Sequence, residues 1–263
     1  MRPLSFLSRL VAAALSLGLF GELRAQTCTP PRPDLISSWG PESLLGTTVS
    51  DSKAQNPGSV KGGVTAVSDP RLPGPRKFER VFRFDGAGFI DIGNPVSLQL
   101  GTKPFSLEAW FVSDQGGSSI RNVIRKSNYP TSSPGAGYWI RLTENAQKIE
   151  FMVGETVGIA SLPRAALTAA VNPGVWHHVV GTRTPSEKIE LYLDGRLMAH
   201  ERLVSTFSVD APTRFTIGAW NERFGPTEFF SGHMTDVSVY SRALTPNEIH
   251  ALFNAATCKF WAR

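Results

Sequence analysis

Three residues of types that perform acid–base chemistry lie in one short stretch, residues 174–195, which reads GVWHHVVGTRTPSEKIELYLDG. Histidines and aspartates, here His177, His178 and Asp194, are typical of metal sites and acid–base catalysts. The histidines lie in a run with the composition of a β-strand, in which successive side chains point to opposite faces. A zinc pair on one strand needs ligands two residues apart, and the positions two residues from either histidine hold valine or tryptophan. The spacing therefore predicts sheet residues rather than a dyad or a metal site.

Other features of the sequence also speak against catalysis. Asp194 precedes Gly195 between two apolar runs, and Asp-Gly in that position is a strong signal for a hairpin turn. The chain contains no G-x-S-x-G, H-E-x-x-H or phosphate-loop motif. A retaining glycosidase displays two carboxylates close together, often along one strand, whereas Glu108 and Asp91 stand alone on theirs. We therefore expect a protein that is not an enzyme.

The elements that position these residues are short β-rich runs separated by turn signals. This pattern is typical of a β-sandwich or jelly roll. Trp110, Trp139 and Trp176 fall inside such runs and are interpreted as core residues. The predicted strands are 81–84, 89–92, 105–111, 122–126, 138–142, 148–153, 176–182, 188–193, 196–201, 214–220 and 233–240.

One helix is predicted near the C-terminus. Thr245 and Glu248 have the spacing of a capping box, and Pro246 occupies the first helical position. Ile249 and Leu252 then begin an apolar stripe that can dock on a sheet. The predicted fold class is all-β with one short C-terminal helix.

Residues 1–25 have the features of a secretory signal peptide. Arg2 and Arg9 precede an apolar run of eleven residues, and Ala25 supplies the small residue at the cleavage site. A membrane anchor needs roughly 20 apolar residues, so we expect no membrane span after the signal is removed. We expect a secreted or periplasmic chain that forms a single domain over 26–263, with a Pro/Gly-rich, loosely structured approach over 26–80 and a core over 81–255.

Charge and cysteine content indicate which partners and which cellular compartment to expect. Removing residues 1–25 lowers the formal net charge from +5 to +3, since 24 basic and 21 acidic residues remain. No cluster of basic residues interleaved with aromatics is present, so nucleic acid is not an expected partner. Cys28 and Cys258 are an even pair in an exported chain, which favours a disulfide between them. The alternative is two separate thiols.

Five segments follow one another in a characteristic order. They are LISSW (35–39), FRFDGAGFIDIG (82–93), FSLEAWF (105–111), the hairpin of WHHVVGT and LYLDG (176–195), and SGHMTDVSVYSRALTPNEI (231–249). Together they resemble the laminin-G-like domains of the concanavalin A-like lectin/glucanase superfamily. The resemblance covers 35–255 and implies a concanavalin A-like jelly-roll β-sandwich. It is specific for fold and not for function, because function depends on sites grafted onto such folds.

The resemblance also implies a calcium ion near the D-G loop and the closing strand. It points to Asp85 and Asp236 as calcium ligands. Calcium takes six to eight oxygen ligands, and Thr235 stands where the family has a first acidic residue, which removes one carboxylate. The alternative for Asp85 is a turn-forming role before Gly86.

Two loops combine aromatics with amides and charges, which is the composition of a lectin-like site. The candidate ligand-binding residues are Asn128 and Tyr129 in the first loop, and Trp220, Asn221 and Arg223 in the second. The alternative for Trp220 is that it caps the edge of the sandwich. We expect an exported, non-catalytic binding module for a glycan or an extracellular or cell-surface protein. The alternatives are a structural or protein-interaction domain without glycan binding and, third, a glycoside hydrolase or polysaccharide lyase.

Overall fold

The computed structural model describes residues 34–73, 80–115, 119–127, 135–156, 164–222 and 225–257. Within these ranges the chain forms eighteen β-strands, a 3₁₀ turn at Val96–Leu98 and one α-helix, α1 (Pro246–Thr257). The strands are β1 (Leu35–Leu45), β2 (Thr48–Asp51), β3 (Gly58–Lys61), β4 (Val64–Ser68), β5 (Arg80–Asp85), β6 (Phe89–Gly93), β7 (Phe105–Ser113), β8 (Arg121–Ser127), β9 (Gly135–Thr143), β10 (Lys148–Thr156), β11 (Arg164–Ala170), β12 (His177–Arg183), β13 (Lys188–Leu193), β14 (Arg196–Arg202), β15 (Phe215–Ile217), β16 (Trp220–Glu222), β17 (Gly225–Thr227) and β18 (Ser231–Tyr240).

The strands pair into one long ladder that folds over into two layers. Hydrogen bonding follows the order β11-β10-β9-β8-β15-β6-β3-β2-β1-β18-β7-β12-β13-β14, with β5 on β18 and β4 on β5. The two ends of this ladder meet, because β11 contacts β13 and β14. We call β3, β6, β15 and β8–β11 the β8 layer, and β1, β4, β5, β18, β7 and β12–β14 the β7 layer. The expected jelly-roll β-sandwich is confirmed.

The core lies between the layers and follows from strand alternation. On β7, Phe105, Leu107 and Phe111 belong to the main apolar cluster, whereas Glu108 and Trp110 point to the outer face. Apolar residues of β8, β9 and β10 face the same core from the other layer. The side chains that alternate with them are therefore on the outer face of the β8 layer.

The C-terminal helix closes the outer face of the β7 layer. The Thr245 hydroxyl accepts the Glu248 N–H at 3.3 Å and the Glu248 carboxylate accepts the Thr245 N–H at 2.8 Å, which confirms the predicted capping box. Ile249 and Leu252 lie buried against β12, β13 and β18. The ring of Phe253 stacks on Trp110 with centroids 5.7 Å apart.

Two regions are more ordered than the sequence suggests. The segment 35–68, expected to be loosely structured apart from its entry strand, contains β1–β4. The alanine-rich β11 was not expected at all, and it forms because it pairs with β10 along its whole length, from Lys148↔Ala170 to Gly154↔Arg164. No helix in the described part of the chain is long and apolar enough to span a membrane. Cys28 and Cys258 lie outside the described residues.

Candidate ligand-binding site

A row of outward-facing side chains crosses the middle of the β8 layer. Cross-strand pairing places Asp91 on β6 beside Thr216 on β15, and Thr216 beside Arg125 on β8. The row continues to Trp139 on β9 and to Met152 on β10. Neighbouring side chains in such a row are close enough to interact directly. All five are buried although they point away from the core, so other parts of the chain cover them.

Arg125 is clamped between two indole rings. Its guanidinium carbon lies 4.1 Å from the ring centroid of Trp220 and 4.6 Å from that of Trp139. The Nε–H donates to the Ser127 hydroxyl at 2.8 Å and one terminal N–H donates to the Asn122 side-chain oxygen at 3.3 Å. Only 7% of the Arg125 side chain is exposed. Each cation–π contact of this kind contributes roughly 0.5–2 kcal/mol, so the stack fixes the orientation of Trp220.

A small hairpin carries Trp220 over this row. Among the described strands, β16 and β17 pair with each other alone, with Trp220 opposite Thr227 and Asn221 opposite Pro226. The hairpin is tied to the β8 layer at its base, where the Glu228 carbonyl accepts the Asn122 N–H at 3.1 Å. The described part of the hairpin therefore lies against β8, held at its base and by Trp220.

The two predicted residues of this hairpin point in different directions. Because strand neighbours alternate, Trp220 faces the sheet and Asn221 faces away from it. Both side chains are half-buried. The Asn221 amide makes no hydrogen bond to the residues that the structure describes. Arg223, Asn128 and Tyr129 lie outside the described residues.

Phe230, ten residues after Trp220 in the chain, belongs to the core of the sandwich. Phe230 is fully buried and contacts Phe84 edge-to-face with centroids 5.8 Å apart. Trp220 lies on the outer face, where the residue as a whole is half-buried. The stack beneath it was not anticipated, although the alternation in YWIRL would have placed Trp139 and Arg141 on one face.

The adjacent histidines point to opposite faces, as predicted from strand alternation. His177 pairs with Phe111 and His178 with Trp110 across β7. The ring of His177 accepts the Asn172 N–H on Nε2 at 3.2 Å, so its Nδ1–H donates to the Asp194 carboxylate at 2.8 Å. Asp194 has the positive φ of 51° expected of the hairpin turn, and it additionally holds His177 in place.

His178 belongs to a buried cluster beneath helix α1. Its Nε2 lies 3.2 Å from one carboxylate oxygen of Glu108. The other oxygen of that carboxylate accepts a hydrogen bond from the Tyr240 hydroxyl. At most 1% of each of these three residues is exposed. The rings of Trp110 and Phe253 cover His178. The cluster is thus enclosed by protein, as a structural network would be.

The carboxylates expected to bind calcium do not lie together. Asp85 pairs with Ser231 at one end of the β5–β18 ladder, and Asp236 lies five residues further along β18, a separation of about 15 Å. The Asp85 carboxylate accepts the Ala87 N–H at 2.8 Å, as a turn-forming aspartate does. Among the described residues no group of three or more His, Cys, Asp or Glu could hold a metal ion. The two residues therefore do not fit one shared calcium ion.

Fold and site together define a class of protein. The chain is a jelly-roll β-sandwich whose outer face carries an aromatic–arginine stack under the β16–β17 hairpin. It belongs to the concanavalin A-like lectin/glucanases superfamily, because the model of one of its families matches residues 84–250. No curated protein matches the chain by sequence.

Solved structures with the same fold include several binding domains. The binding domain of Paraclostridial Mosquitocidal Protein 1 matches with a TM-score of 0.63 and 14% identity, over 84% of this chain and 52% of that one. A second match is domain 4 of AbnA, a GH43 extracellular arabinanase from Geobacillus stearothermophilus, in complex with arabinotriose. Its TM-score is 0.60 and its identity 17%, over 83% of this chain and 98% of that one.

The binding domain of botulinum neurotoxin DC matches in two complexes. The complex with SialylT gives a TM-score of 0.59 and 14% identity, over 85% of this chain and 52% of that one. The complex with rat synaptotagmin II gives a TM-score of 0.58 and 16% identity, over 85% of this chain and 52% of that one. This chain thus spans about half the length of the toxin domains that it matches. Identities this low show a shared fold, and these neighbours are binding domains.

Proposed function

We propose that this protein is an exported, non-catalytic binding module that holds a glycan against the Trp220 indole. The observation that carries the proposal is the clamp on Arg125, which presents Trp220 on the outer face of the β8 layer in a fixed orientation. Sugars bind to aromatic rings through their apolar C–H faces, and neighbouring amides orient their hydroxyl groups. A ring that is already immobilised loses little conformational entropy on binding, which favours affinity.

Two of the similar structures support this assignment. The AbnA domain is in complex with arabinotriose and the toxin binding domain with SialylT. These ligands belong to those proteins, and for this chain they support only the class of ligand. The enclosure of His178 and Glu108 supports the absence of catalysis, because substrate cannot reach them while helix α1 is docked.

The test is a glycan array on the mature protein, followed by titration of each hit against Trp220→Ala. We expect at least a tenfold loss of affinity, equivalent to about 1.4 kcal/mol, and partial retention in Trp220→Phe, which keeps an aromatic face. Leu197→Ala is the matched control, because Leu197 is exposed on β14 of the other layer. Silence across a broad array, or full binding by Trp220→Ala, would overturn the proposal.

The second candidate function is protein recognition without a glycan. It is favoured by the edge strand β14, on which Leu197 and Met198 are 45% and 50% exposed. The neurotoxin domain in complex with rat synaptotagmin II offers a parallel. This candidate predicts that a purified partner protein loses binding to Leu197→Glu while Trp220→Ala binds normally.

Calcium is proposed only as an ion at the loop of Asp85, since Asp236 is too far away to share it. Glycan titrations with and without millimolar calcium, and with Asp85→Asn, test that requirement.

We propose export from the character of residues 1–25. N-terminal sequencing of the mature protein should find a start near Gln26.

A further inference from the structure

A cavity of about 260 Å³ opens between β1 and β2, apart from the aromatic–arginine stack. The pairing of the two strands jumps from Trp39↔Asp51 to Leu44↔Val49, so that residues 40–43 of β1 lie opposite Ser50 alone. A bulge of this kind bends its strand and redirects the side chains, and bulges are frequent beside functional sites. The bulged part of β1 and the facing residues of β2 together form the walls of the cavity.

Asp51 is the most buried of the residues that line the cavity, with 4% of its surface exposed. One of its carboxylate oxygens accepts the N–H groups of Ser38 and Lys53, at 2.9 and 3.2 Å. The other oxygen accepts the Ser37 hydroxyl and two more backbone N–H groups, each at 3.2 Å. This wall of the cavity is therefore ordered before a ligand arrives, which reduces the entropy lost on binding.

Glu42 lies on the bulge of β1, at the exposed side of the cavity. Its carboxylate occupies the space that a side chain at Gly40 would fill, because a Cβ atom there would lie 3.0 Å from Glu42 Oε2. The Glu42 side chain makes no hydrogen bond and no ion pair within the described part of the chain. Its carboxylate is therefore available to a ligand.

The two carboxylates make the cavity favourable for a positive charge. No charged side chain contributes to the five hydrogen bonds that Asp51 accepts. Lys53 donates to Asp51 through its backbone, and its side chain is not among the described groups that line the cavity. Unpaired carboxylates raise the local concentration of cations. A hydrogen bond from a cation to a carboxylate is also roughly twice as strong as one between neutral groups.

The rest of the lining is polar and uncharged. Ser43, Ser50 and Ser52 carry hydroxyl groups that can both donate and accept hydrogen bonds. A bare metal ion suits this lining poorly, because calcium takes six to eight oxygen ligands and both oxygens of Asp51 already accept hydrogen bonds. The volume is below the roughly 300–1,000 Å³ of sites for drug-sized ligands. The cavity therefore has room for one small ring that carries hydroxyl groups.

We infer that this cavity is a second ligand site, which binds a single amino-sugar ring in its ammonium form. The ammonium group pairs with Glu42, and the ring hydroxyls exchange hydrogen bonds with the serines. In the ladder β2 is four strands away from β8. The site is thus separate from the one proposed at Trp220 and does not depend on it.

The experiment titrates the mature protein with glucosamine at slightly acidic pH, where its amine is charged, and separately with N-acetylglucosamine and glucose. Binding is followed by NMR of the backbone amides of residues 42–43 and 50–52. We expect glucosamine to shift these amides and to bind at least about tenfold more tightly than the other two sugars. Its affinity should fall as salt is added, because screening weakens the charge pair.

Three results would overturn the inference. They are equal affinities for the three sugars, shifts confined to other residues, and loss of glucosamine binding in folded Trp220→Ala, which would place the ring at Trp220. Failure of larger glycans to bind at Trp220, with glucosamine still bound at the cavity, would overturn the proposed function and leave this inference intact.

Glu42→Gln tests the charge pair, because glutamine keeps the size of the side chain and removes its charge. We expect glucosamine affinity to fall at least about tenfold, with glucose binding unchanged. Glu201→Gln is the matched control, since Glu201 is exposed on β14 and does not line the cavity. Gly40→Ala keeps both charges but places a methyl group against the Glu42 carboxylate, and it should also weaken glucosamine binding. If both variants are folded by circular dichroism and bind glucosamine as the parent does, the inference is wrong.

Discussion

Lys126 is a charged side chain placed inside the core of a β-sandwich. It lies on β8 and is fully buried. Its ammonium group donates to the Asn94 side-chain oxygen at 2.6 Å and to the carbonyls of Ala211 and Thr213 at 3.0 and 2.7 Å. All three acceptors are neutral, so burial is compensated by hydrogen bonds but not by a contacting opposite charge. Burial consequently lowers the pKa of Lys126 to about 8.

Lys126→Met removes the charge and keeps an unbranched apolar side chain. Two opposing effects decide its free energy of unfolding. Losing the three donors leaves the Thr213 carbonyl without its Lys126 partner, at roughly 1–3 kcal/mol. The Asn94 side-chain oxygen and the Ala211 carbonyl keep the Gln99 amide as a donor, at 2.8 and 3.1 Å. Removing the buried ammonium recovers its desolvation cost, which a pKa lowered from 10.5 to about 8 puts at about 3 kcal/mol at neutral pH. The two effects are of similar size, so we expect the variant to lie within about 1 kcal/mol of the parent at pH 7.

The pH dependence is the sharper part of this prediction. Because the pKa of Lys126 is lower in the folded chain, the unfolded chain binds more protons between pH 8 and 10.5. The contribution of Lys126 therefore makes the protein more stable as the pH rises through this window. The variant lacks that contribution, so the gap in the free energy of unfolding should widen by about 2 kcal/mol between pH 7 and pH 10.

Urea unfolding followed by tryptophan fluorescence at both pH values, at constant ionic strength, measures the gap. Lys148→Met is the matched control, since Lys148 is on β10 with 44% of its side chain exposed. We expect it to change stability by less than about 0.5 kcal/mol at either pH. A gap for Lys126→Met that is the same at both pH values would refute the reasoning, because it would mean that the buried amine has an ordinary pKa.

Three further predictions concern the cap, a histidine and the cysteines. Thr245→Ala removes the cap of α1 and should lower the free energy of unfolding by about 1 kcal/mol, whereas Thr245→Ser should keep the cap and the stability. Equal melting temperatures for the parent and both variants would contradict this prediction. Burial lowers the pKa of His233 below 6.5, so the unfolded chain binds more protons in acid and the folded state loses stability as the pH falls below 6.5. His233→Asn should lose stability less steeply between pH 7 and 5, and an unchanged slope would contradict the prediction. Cys28 and Cys258 should be joined in the exported protein, and alkylation of two thiols without prior reduction, seen by mass spectrometry, would exclude the bond.

Local signals in the sequence predicted the elements that depend on local contacts. The capping box of Thr245 and Glu248 lies within one turn of helix, and the Asp194–Gly195 turn within one hairpin. Strand β11 was missed because RAALTAA has few of the β-branched and aromatic residues that favour strands. It is a strand because β10 offers it a complete ladder, and such a tertiary effect does not show in composition.

The candidate site was predicted only in part for the same reason. The composition of its loop indicated Trp220, but the clamp joins residues that are 14 and 95 positions away from Arg125 in the chain. The face on which Arg125 lies also depends on a bulge between Asn122 and Ile124. A bulge shifts the alternation of the strand, so counting residues in NVIRK does not reveal which side chains point outwards.

Helix α1 encloses the residues with the most reactive side chains. Glu108, His178 and Tyr240 form a hydrogen-bonded group on the outer face of the β7 layer, and the helix covers that face. Phe253 stacks on Trp110 above them, so a ligand could reach them only if the helix undocked. The β8 layer differs, since the hairpin that covers its central row leaves part of Trp220 exposed. The helix therefore turns one outer face into a second core, and our proposal accordingly assigns recognition to the opposite face.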